Sequence, residues 1–398
     1  MSVSLKEHQI KVLLVDDQAI VAAAVQRMLA PEQDILFRYC QDPTHALQTA
    51  IEFEPTIILQ DLIMPDIDGL TLVKFFRVHP QLRDVPLIVL SSKEEATTKA
   101  ESFALGANDY LVKLPDRIEL VARIRYHSTG YINLLQRNEA YAALLASRQA
   151  LAAELASAAE YVVSLLPGPV NDGPVRTEWR FFPSAELGGD CLGYHWIDGD
   201  HFAMYLLDVC GHGVGTALLS VSAFNALRSQ TLPGTDFLSP KQVLTALNDA
   251  FPMEKQNNLY FTIWYGVYDC RSHRLRYASG GHPPALLYSG DKGPVSLMTD
   301  NVFIGGLAGV DYEEAVIENV SAPARLYIFS DGAYEVDRPT GEMWTLKELE
   351  SYLADKCGEG GQEIEGLYAF LQEMHGKPVL DDDFSMLKVS LKQGYHLE

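Results

Sequence analysis

Five residues in the N-terminal third of the chain have the chemistry to accept a phosphoryl group: Asp16, Asp17, Asp61, Ser91 and Lys113. Carboxylate oxygens suit Mg²⁺, which keeps several waters and bridges to phosphate oxygens. A carboxylate such as that of Asp61 can also act as a nucleophile and form an acyl phosphate. The ammonium of Lys113 would then hold the phosphate. These residue types predict a phosphate-accepting site built around a magnesium ion.

Short apolar runs lead into these residues: VLLV at 12–15, TIILQ at 56–60 and PLIVL at 86–90. Each run is rich in β-branched residues and bounded by polar residues or proline, which is typical of buried parallel strands. Ligands of open α/β sheets gather at the carboxyl ends of such strands. The runs therefore predict an α/β doubly wound domain that carries the carboxylates at one edge of its sheet.

The same region resembles the receiver domain of bacterial response regulators. The motifs that carry the resemblance are DD at 16–17, DLIMPDIDG at 61–69, LSS at 90–92 and DYLVK at 109–113, and the match covers roughly residues 8–128. The resemblance implies a five-stranded parallel sheet, a receiver domain over 1–128 and a cognate histidine kinase as partner. One departure is visible, because Leu114 follows Lys113 where receivers commonly have proline, and the proline is delayed to Pro115.

Residue roles follow from that resemblance alone. It implies that Asp61 is the phosphoacceptor and that Ser91 and Tyr110 are the switch residues, with Lys113 at the phosphate. The implied Mg²⁺ ligands are Asp16, Asp17, Asp61 and the backbone carbonyl of Ile63.

Composition narrows the range of functions. The chain has 398 residues, which predicts two or three domains, and it has 31 basic against 53 acidic residues, a formal charge of −22. Nucleic-acid-binding domains carry basic patches, so we expect no nucleic-acid partner. No run approaches 18 apolar residues, and the start MSVSLKEHQ does not have the pattern of a signal peptide. We therefore expect a cytoplasmic protein with no membrane partner.

The cysteines predict neither disulfide bonds nor a zinc site. There are five of them, an odd number, and they are widely spaced with no C-x-x-C pair. Neither a disulfide network nor a zinc site is indicated, and reduced thiols are expected. They are Cys40, Cys191, Cys210, Cys270 and Cys357.

The segment from Asp116 to Leu166 contains no proline and one glycine, Gly130, and is rich in good helix formers. It predicts one long helix or two in tandem, with any kink at Gly130. Positions 141, 148, 155 and 162 (Tyr, Arg, Leu, Val) and positions 144, 151, 158 and 165 (Leu, Leu, Ala, Leu) form a heptad pattern. We therefore expect a coiled-coil linker over 129–166 that joins two copies of the chain. An amphipathic helix that packs on the following domain is the alternative.

Beyond residue 170, aromatic-rich alternating runs predict the strands of an antiparallel β-rich domain, among them HFAMYLLDV at 201–209, RLRYASG at 274–280 and FSMLKVSL at 384–391. Four carboxylates lie at the ends of such runs: Asp190, Asp208, Asp331 and Asp382. Separated carboxylates favour an all-oxygen site for Mg²⁺ or Mn²⁺. A centre of two such ions would lower the pKa of a water and aim it at a phosphorus atom.

This part of the chain resembles the metal-dependent protein phosphatase (PPM) family, in its bacterial branch that acts on anti-sigma-factor antagonists. The matching motifs are PSAELGGD at 183–190, DVCGHGVGTAL at 208–218, SGGHPPALL at 279–287, FSDGAYE at 329–335 and DDFSML at 382–387. The likeness covers about 165–392. It implies a β-sandwich flanked by helices over 167–398, with helices at 215–230 and 238–251 and with two Mn²⁺ or Mg²⁺ ions.

By that resemblance, Asp208 is the bridging and catalytic carboxylate, and the Val209 carbonyl is a ligand of one metal. Asp331 and Asp382 are implied ligands of the other metal, and Asp190 acts through bound water. Asp383 remains the alternative to Asp382. We expect His212 and His282 to shape loops, and Cys210 stands where this branch usually has serine.

The expected function is a response regulator in which phosphorylation of Asp61 controls a metal-dependent protein serine/threonine phosphatase. Its expected substrate is a phosphorylated anti-sigma-factor antagonist. A non-catalytic, phosphorylation-dependent adaptor that sequesters a partner is the alternative. The sequence leaves open whether phosphorylation activates or inhibits.

Overall fold

The computed structural model describes residues 8–65, 67–92, 95–185, 187–290, 293–356 and 362–392. Asp66, Glu186 and Cys357 lie outside these ranges. The chain divides into two compact units, Met1–Gln149 and Ala150–Glu398. The border between the units falls inside the predicted linker 129–166, and the exact limits of the three predicted domains stay a prediction.

The first unit contains a parallel sheet with the strand order β2-β1-β3-β4-β5 among its described residues. Its strands are β1 (Ile10–Val15), β2 (Ile35–Cys40), β3 (Ile57–Asp61), β4 (Leu87–Ser91) and β5 (Asp109–Val112). Its helices are α1 (Ala19–Leu29), α2 (Ala46–Phe53), α3 (Gly69–Val78), α4 (Ala96–Ala104) and the first part of α5 (Arg117–Leu165), with a 3₁₀ turn at Pro43–His45.

Two apolar layers hold this sheet, one on each face. Leu13 and Val15 of β1 enter the layer that contains Phe76 of α3, whereas Val12 and Leu14 enter the layer that contains Ile124 of α5. Alternation along a strand sends successive side chains to opposite faces, so a run of four apolar residues serves both layers. The predicted doubly wound fold with a five-stranded parallel sheet is confirmed.

Helix α5 is continuous over 49 residues and passes through Gly130 without a break. Of the two alternatives, the structure therefore has one long helix. Buried residues of its first turns are Leu120, Ile124 and Ser128. Further along, the heptad residues Tyr141, Leu144 and Leu151 are exposed in the single chain, whereas Leu155, Val162 and Leu165 are partly buried. Among the helices of the described ranges, α5 included, none has the length and apolarity needed to cross a bilayer.

The second unit contains two antiparallel sheets among the residues that the structure describes. Their strand orders are β13-β10-β9-β8-β7 and β12-β11-β14-β17-β6. The strands of the first sheet are β7 (Asp190–Trp196), β8 (His201–Val209), β9 (Phe261–Asp269), β10 (Arg274–Gly280) and β13 (Ala315–Ile317). The strands of the second are β6 (Val175–Phe182), β11 (Ala285–Ser289), β12 (Val295–Leu297), β14 (Ala324–Phe329) and β17 (Phe384–Leu391).

The remaining elements of this unit are helices and short pieces. The helices are α6 (Val214–Arg228), α7 (Pro240–Ala250), α8 (Leu346–Asp355) and α9 (Glu363–His375). Two-residue strands β15 (Val336–Asp337) and β16 (Met343–Trp344) pair with each other, and 3₁₀ turns lie at Met253–Lys255 and Asp331–Ala333. The predicted helices at 215–230 and 238–251 match α6 and α7 to within two residues at each end.

The sheets pack face to face. Leu206 of β8 and Trp264 of β9 share one buried cluster with Ile328 of β14 and Leu387 of β17, so this cluster is the core of a sandwich. Helices α6 and α7 cover the outer face of the first sheet, and α8 and α9 cover that of the second. The predicted β-sandwich flanked by helices is confirmed.

Candidate functional sites

The first candidate site lies at the carboxyl edge of the parallel sheet. Asp16 follows β1, Asp61 is the last residue of β3 and Ser91 is the last residue of β4. All three side chains are essentially buried. The strand order places β1, β3 and β4 side by side, which brings the three residues together.

Lys113 links the carboxylates. Its Nζ lies 2.7 Å from Oδ2 of Asp61 and 3.1 Å from Oδ2 of Asp16. Burial by itself lowers the pKa of Lys113, but its hydrogen bonds to Asp61 and Asp16 outweigh burial and leave the pKa raised. Burial raises the pKa of Asp16 despite these contacts. The ammonium is thus charged and held where a phosphoryl group on Asp61 would need it.

The acids of this site fit a hard cation. One oxygen from each of Asp16, Asp17 and Asp61 lies within 4.8 Å of the others. Oδ1 of Asp17 is buried and has no hydrogen-bond partner among the described residues. Oxygen-only donors and a buried, unpartnered carboxylate oxygen are what Mg²⁺ satisfies.

The loops that follow β3 and β5 also contribute contacts at this edge of the sheet. The backbone N–H of Ile63 donates to Oδ1 of Asp61 at 3.2 Å, and the N–H of Lys113 donates to the carbonyl of Ser91 at 2.8 Å. Leu114 has φ of +57°, so a left-handed leucine turns the chain where proline is common in receivers. The Tyr110 ring is buried, and Nζ of Lys99 lies 5.1 Å from its centroid.

The second candidate site lies at one end of the sandwich and draws on both sheets. Asp190 and Asp208 face each other across β7 and β8 as register partners. Asp331 begins the 3₁₀ turn that follows β14, and Asp382 lies two residues before β17. Side chains on directly opposed residues of neighbouring strands are close, which brings the first two carboxylates together.

Burial and the charges of neighbouring carboxylates raise the pKa of each of these acids. Burial, then the charges of Asp331 and Asp382, raise the pKa of Asp208 to about 7. Burial, then Asp382, raise the pKa of Asp331 to about 6. Burial also raises the pKa of Asp382, and raises that of Asp190 well above its usual range. The four carboxylates therefore share one electrostatic environment.

Asp190 gives the strongest sign that these residues would hold a cation. Both of its oxygens are buried, and neither accepts a hydrogen bond of ordinary length within the described ranges, although the side chains of Ser385 and Ser330 partly offset the rise in its pKa. A buried carboxylate with such weak partners is costly, and a divalent cation or its bound water would remove that cost. Among the described residues, only the first site brings ligand atoms of three acids within 4.8 Å of one another.

Asp383, next to Asp382 in the chain, is occupied by hydrogen bonds. Its Oδ1 accepts from the backbone N–H of Ser184 at 2.8 Å and from the Ser184 hydroxyl at 3.0 Å. Its Oδ2 accepts from the N–H of Gly189 at 2.7 Å. Asp383 thus ties the segment that leads into β7 to the segment that leads into β17.

Glycines let these segments approach closely. A Cβ on Gly188 would lie 2.3 Å from Oδ2 of Asp383, and one on Gly189 would lie 2.4 Å from the carbonyl oxygen of Val209. A Cβ on Gly332 would lie 2.2 Å from the carbonyl oxygen of Asp383. Glycine is therefore required where the acid-bearing segments touch one another.

Sequence reasoning missed some polar groups at this site. Thr262, the register partner of Asp208 on β9, has a buried Oγ1 with no hydrogen-bond partner in the described structure. Ser330 donates from Oγ to the carbonyl of Asp383 at 3.0 Å and accepts from the N–H of Ser385 at 3.1 Å. Ser330 lies inside the FSDG motif, which was a usable signal. Thr262 lies in an aromatic run, where threonine is an ordinary strand former.

The histidines and the cysteine near the acids differ in their surroundings. His282 is buried, its Nδ1 lies 2.9 Å from the carbonyl oxygen of Pro283, and burial lowers its pKa to about 4. This contact fits the loop-shaping role that we expected. His212 is exposed. Cys210 pairs with the start of β9, because its N–H donates to the Tyr260 carbonyl and its Sγ accepts from the Tyr260 N–H.

These two sites define a class of protein: a parallel-sheet domain with a buried aspartate paired to a lysine, joined to a β-sandwich with a carboxylate centre. Residues 12–125 match the response regulator receiver domain. Residues 198–392 match the family of Stage II sporulation protein E (SpoIIE). The chain therefore belongs to the receiver family in its N-terminal third and to the SpoIIE branch of PPM phosphatase domains in its C-terminal half.

Two relatives from Bacillus subtilis (strain 168) are similar to this chain. Phosphoserine phosphatase RsbP is 26% identical over 244 residues, which are 60% of this chain and 58% of RsbP. Phosphoserine phosphatase RsbU is 26% identical over 213 residues, which are 53% of this chain and 61% of RsbU. The chain thus spans about three fifths of the length of each.

A solved structure supports the fold of the second unit. The SiaA-PP2C domain of Pseudomonas aeruginosa aligns with a TM-score of 0.52 and 18% identity, and the alignment covers 62% of this chain and 99% of that domain. At this identity the likeness concerns the fold alone.

Proposed function

We propose that this protein is a response regulator in which phosphorylation of Asp61 controls a metal-dependent phosphatase acting on phosphoserine or phosphothreonine in a protein. The observation that carries the proposal is the convergence of Asp190, Asp208, Asp331 and Asp382 at one end of the sandwich, with both Asp190 oxygens buried and without a hydrogen bond of ordinary length. The family matches and the two phosphoserine phosphatases among the relatives support it.

In the receiver, we assign Asp16, Asp17, Asp61 and the Ile63 carbonyl to one Mg²⁺. Asp61 is the phosphoacceptor, and Lys113, 2.7 Å away, neutralises the charge that develops on the phosphoryl group. Ser91 lies at the end of the neighbouring strand, where its hydroxyl can reach the same group. Tyr110 is the aromatic partner of Ser91 in the switch.

In the phosphatase domain, we assign Asp208 as the carboxylate shared by two Mn²⁺ or Mg²⁺ ions. The Val209 carbonyl would also bind one ion, Asp331 and Asp382 would bind the other, and Asp190 would act through water. When bound, the ions would supply a nucleophile at neutral pH and offset the charge of the phosphate. The chain itself contributes a rigid frame, since Asp383 and the glycines fix the spacing of the acids.

Hydrogen bonding favours Asp382 over Asp383 as the ligand. Both oxygens of Asp383 already accept bonds from Ser184 and Gly189. Asp382 accepts one bond, from the N–H of Asp383 at 2.8 Å, and its charge acts on Asp331 and Asp208. The charge of Asp383 also acts on Asp208 and Asp190, so the hydrogen bonds make the difference: a carboxylate with one amide donor is better placed to bind a cation than one whose two oxygens both accept from amides.

The proposed partners follow from the family resemblance. They are a cognate histidine kinase, a phosphorylated anti-sigma-factor antagonist as substrate, and a second copy of the chain bound through α5 in a cytoplasmic setting. The exposed heptad positions of α5 support the dimer.

The test is Mn²⁺-dependent release of phosphate from a phosphoserine form of an anti-sigma-factor antagonist, with the receiver free or loaded with beryllofluoride. Asp61→Asn removes the acceptor and serves as the matched control, because its rate should not respond to loading. A rate that rises on loading means that phosphorylation activates, and a rate that falls means that it inhibits.

Two results would count against the proposal. Turnover that persists in Asp208→Ala would reject the assigned centre. No hydrolysis in either receiver state, together with no calorimetric binding of Mn²⁺, would favour the non-catalytic adaptor.

A further inference from the structure

An apolar surface borders the carboxylate centre where β8 ends. It consists of Leu218 on α6, Leu259 and Tyr260 before β9, and Phe303 and Leu307 on the loop that precedes β13. We call these five residues the apolar rim. Leu218 and Leu307 are each 63% exposed, and Leu259, Tyr260 and Phe303 are partly exposed.

The rim is attached to the metal-binding strand by backbone contacts. Cys210 lies two residues beyond Asp208, and its N–H donates to the Tyr260 carbonyl at 3.0 Å. The Tyr260 N–H donates in return to Cys210 Sγ at 3.4 Å. The Tyr260 ring packs against Phe303 with centroids 4.3 Å apart and planes at 36°. An aromatic pair therefore stands directly beside the end of β8.

Contacts on both sides extend the rim. The Cβ position of Gly215 lies 3.9 Å from Cδ1 of Leu259, and Leu218 is on the same helix face, three residues further along. On the other side, Gly306 is so close to Phe303 that a Cβ there would lie 2.3 Å from the ring. Leu307 comes next in the chain, so Leu218 and Leu307 lie at the two ends of a row of which Leu259, Tyr260 and Phe303 form the middle.

The loop that carries Phe303 and Leu307 is held firmly. Asn248 on α7 donates from Nδ2 to the Leu307 carbonyl at 2.8 Å, and its Oδ1 accepts from the Gly305 N–H at 2.8 Å. The backbone groups of Phe261 and Ile304 also bond to each other. A surface held in this way can recognise a ligand with little ordering cost.

The rim is also free of charge. No Asp, Glu, Lys or Arg occurs in 209–227, 256–268 or 301–310, although the chain has 31 basic and 53 acidic residues. Exposed apolar patches with aromatic residues and few charges are typical of protein-binding surfaces. An uncharged apolar patch next to four carboxylates is therefore a candidate binding surface for a protein.

We propose that the apolar rim is the docking surface for the protein substrate and selects apolar side chains on either side of the phosphorylated residue. This inference rests on the proposed function and specifies the substrate class. A phosphorylated side chain that reaches the carboxylates must bring its sequence neighbours against the surface around them. At this edge, that surface is the rim.

The test compares two synthetic phosphoserine peptides of equal length with the full-length protein and Mn²⁺. One peptide has leucine and valine on both sides of the phosphoserine, and the other has serine and asparagine there. We expect the wild-type protein to favour the apolar peptide by about tenfold or more in kcat/KM, as for loss of a central interface contact. A change in metal occupancy alters kcat/KM for both peptides by the same factor, so the ratio of the two kcat/KM values does not depend on it.

Leu218→Ser and Phe303→Ala should each reduce this ratio toward one. Leu218 is mostly exposed, so its substitution keeps the test valid even if Phe303→Ala misfolds. The matched control is Val295→Ala, an exposed apolar residue of β12, which should keep the wild-type ratio.

The outcomes separate the two proposals. Equal kcat/KM for both peptides, or a ratio unchanged in Leu218→Ser, overturns the docking surface and leaves the phosphatase intact. If Leu218→Ser instead dissociates a dimer in sedimentation and keeps the ratio, the rim is a contact between copies. Failure of the wild-type protein to hydrolyse either peptide or p-nitrophenyl phosphate overturns both proposals.

Discussion

Two adjacent aspartates at the sandwich end have different surroundings, and substitution should separate their roles. Asp383→Ala would leave the amides of Ser184 and Gly189 without their acceptor, each at a cost of about 1–3 kcal/mol. Asp382→Ala instead removes a charge that repels Asp331 and Asp208. We expect Asp383→Ala to lower the Tm of the metal-free protein, and Asp382→Ala to keep it or raise it.

The two variants should differ in the opposite way in metal binding, where Asp382→Ala should have the larger effect. Calorimetric titration with Mn²⁺ should give Asp382→Ala an affinity at least about tenfold weaker than wild type, since even the loss of a group that only supports a ligand has an effect of that size. The reverse pattern, with a destabilised Asp382→Ala and a metal-binding defect confined to Asp383→Ala, would exchange the two roles.

The raised pKa of Asp208 predicts an unusual pH dependence of stability. Its folded-state pKa is about 7 against an ordinary 3.8. Between these values the folded metal-free protein holds a proton that the unfolded chain has lost, so the free energy of unfolding falls as pH rises through that window. We expect the Tm of the metal-free protein to be lower at pH 7.5 than at pH 5, by roughly 3 °C or more from this group.

Asp208→Asn is the control for this prediction, because an amide keeps the shape and cannot titrate. The drop in Tm between the two pH values should be smaller in this variant than in wild type. Equal drops would mean that the dependence arises elsewhere, for example in the receiver. Saturating Mn²⁺ should also abolish the difference, since metal binding competes with protons for the carboxylates.

The hairpin of β7 and β8 is the element that sets the geometry of the carboxylate centre. The N–H of Val209 donates to the carbonyl of Gly189 at 3.4 Å, and a Cβ on Gly189 would lie 2.4 Å from the Val209 oxygen. Gly189→Ala must therefore push the end of β8 away from the start of β7. We expect a loss of about 1–3 kcal/mol in stability, as for overpacking, and weaker Mn²⁺ binding.

Gly199→Ala is a matched control in the turn of the same hairpin, where an added Cβ would meet no atom within 4 Å. Urea unfolding and Mn²⁺ calorimetry on both variants check the prediction. If Gly189→Ala behaves like Gly199→Ala in both measurements, the close approach of Gly189 to Val209 is not needed for stability or for Mn²⁺ binding.

The elements of this domain were more predictable from sequence than their contacts. Strands at 201–209, 274–280 and 384–391 were predicted with the bounds that the structure has, because turn residues frame each aromatic run. The choice between Asp382 and Asp383 was not decidable, since adjacent residues of a strand approach face opposite ways and one sequence shows only their types. The close packing of Gly189 on Val209 depends on strand pairing, which no local pattern specifies.

At the scale of the whole molecule, α5 is the covalent path between the receiver and the phosphatase domain, because its residues Arg117–Leu165 contribute to both compact units. Its heptad positions Tyr141, Leu144 and Leu151 are 63%, 64% and 57% exposed in the single chain. A row of exposed apolar residues at heptad spacing favours pairing with the same helix of a second copy. The last heptad position, Leu165, instead packs against the core of the phosphatase domain. A helix that packs on its own phosphatase domain therefore remains the alternative.

Pairing through α5 makes a specific prediction for the oligomeric state. Leu151→Asp would place a charge in the seam of the proposed dimer and should convert the full-length protein to a monomer in sedimentation equilibrium. Ala153→Asp adds the same charge on the opposite side of the helix, outside the seam, and should leave the dimer intact. Both substitutions lower helix propensity by a similar amount, so a difference in oligomeric state between the two variants must come from the position of the charge relative to the seam. A wild-type protein that is monomeric at high concentration, or a Leu151→Asp variant that remains dimeric, would contradict pairing through α5 and require receiver control to act within one chain.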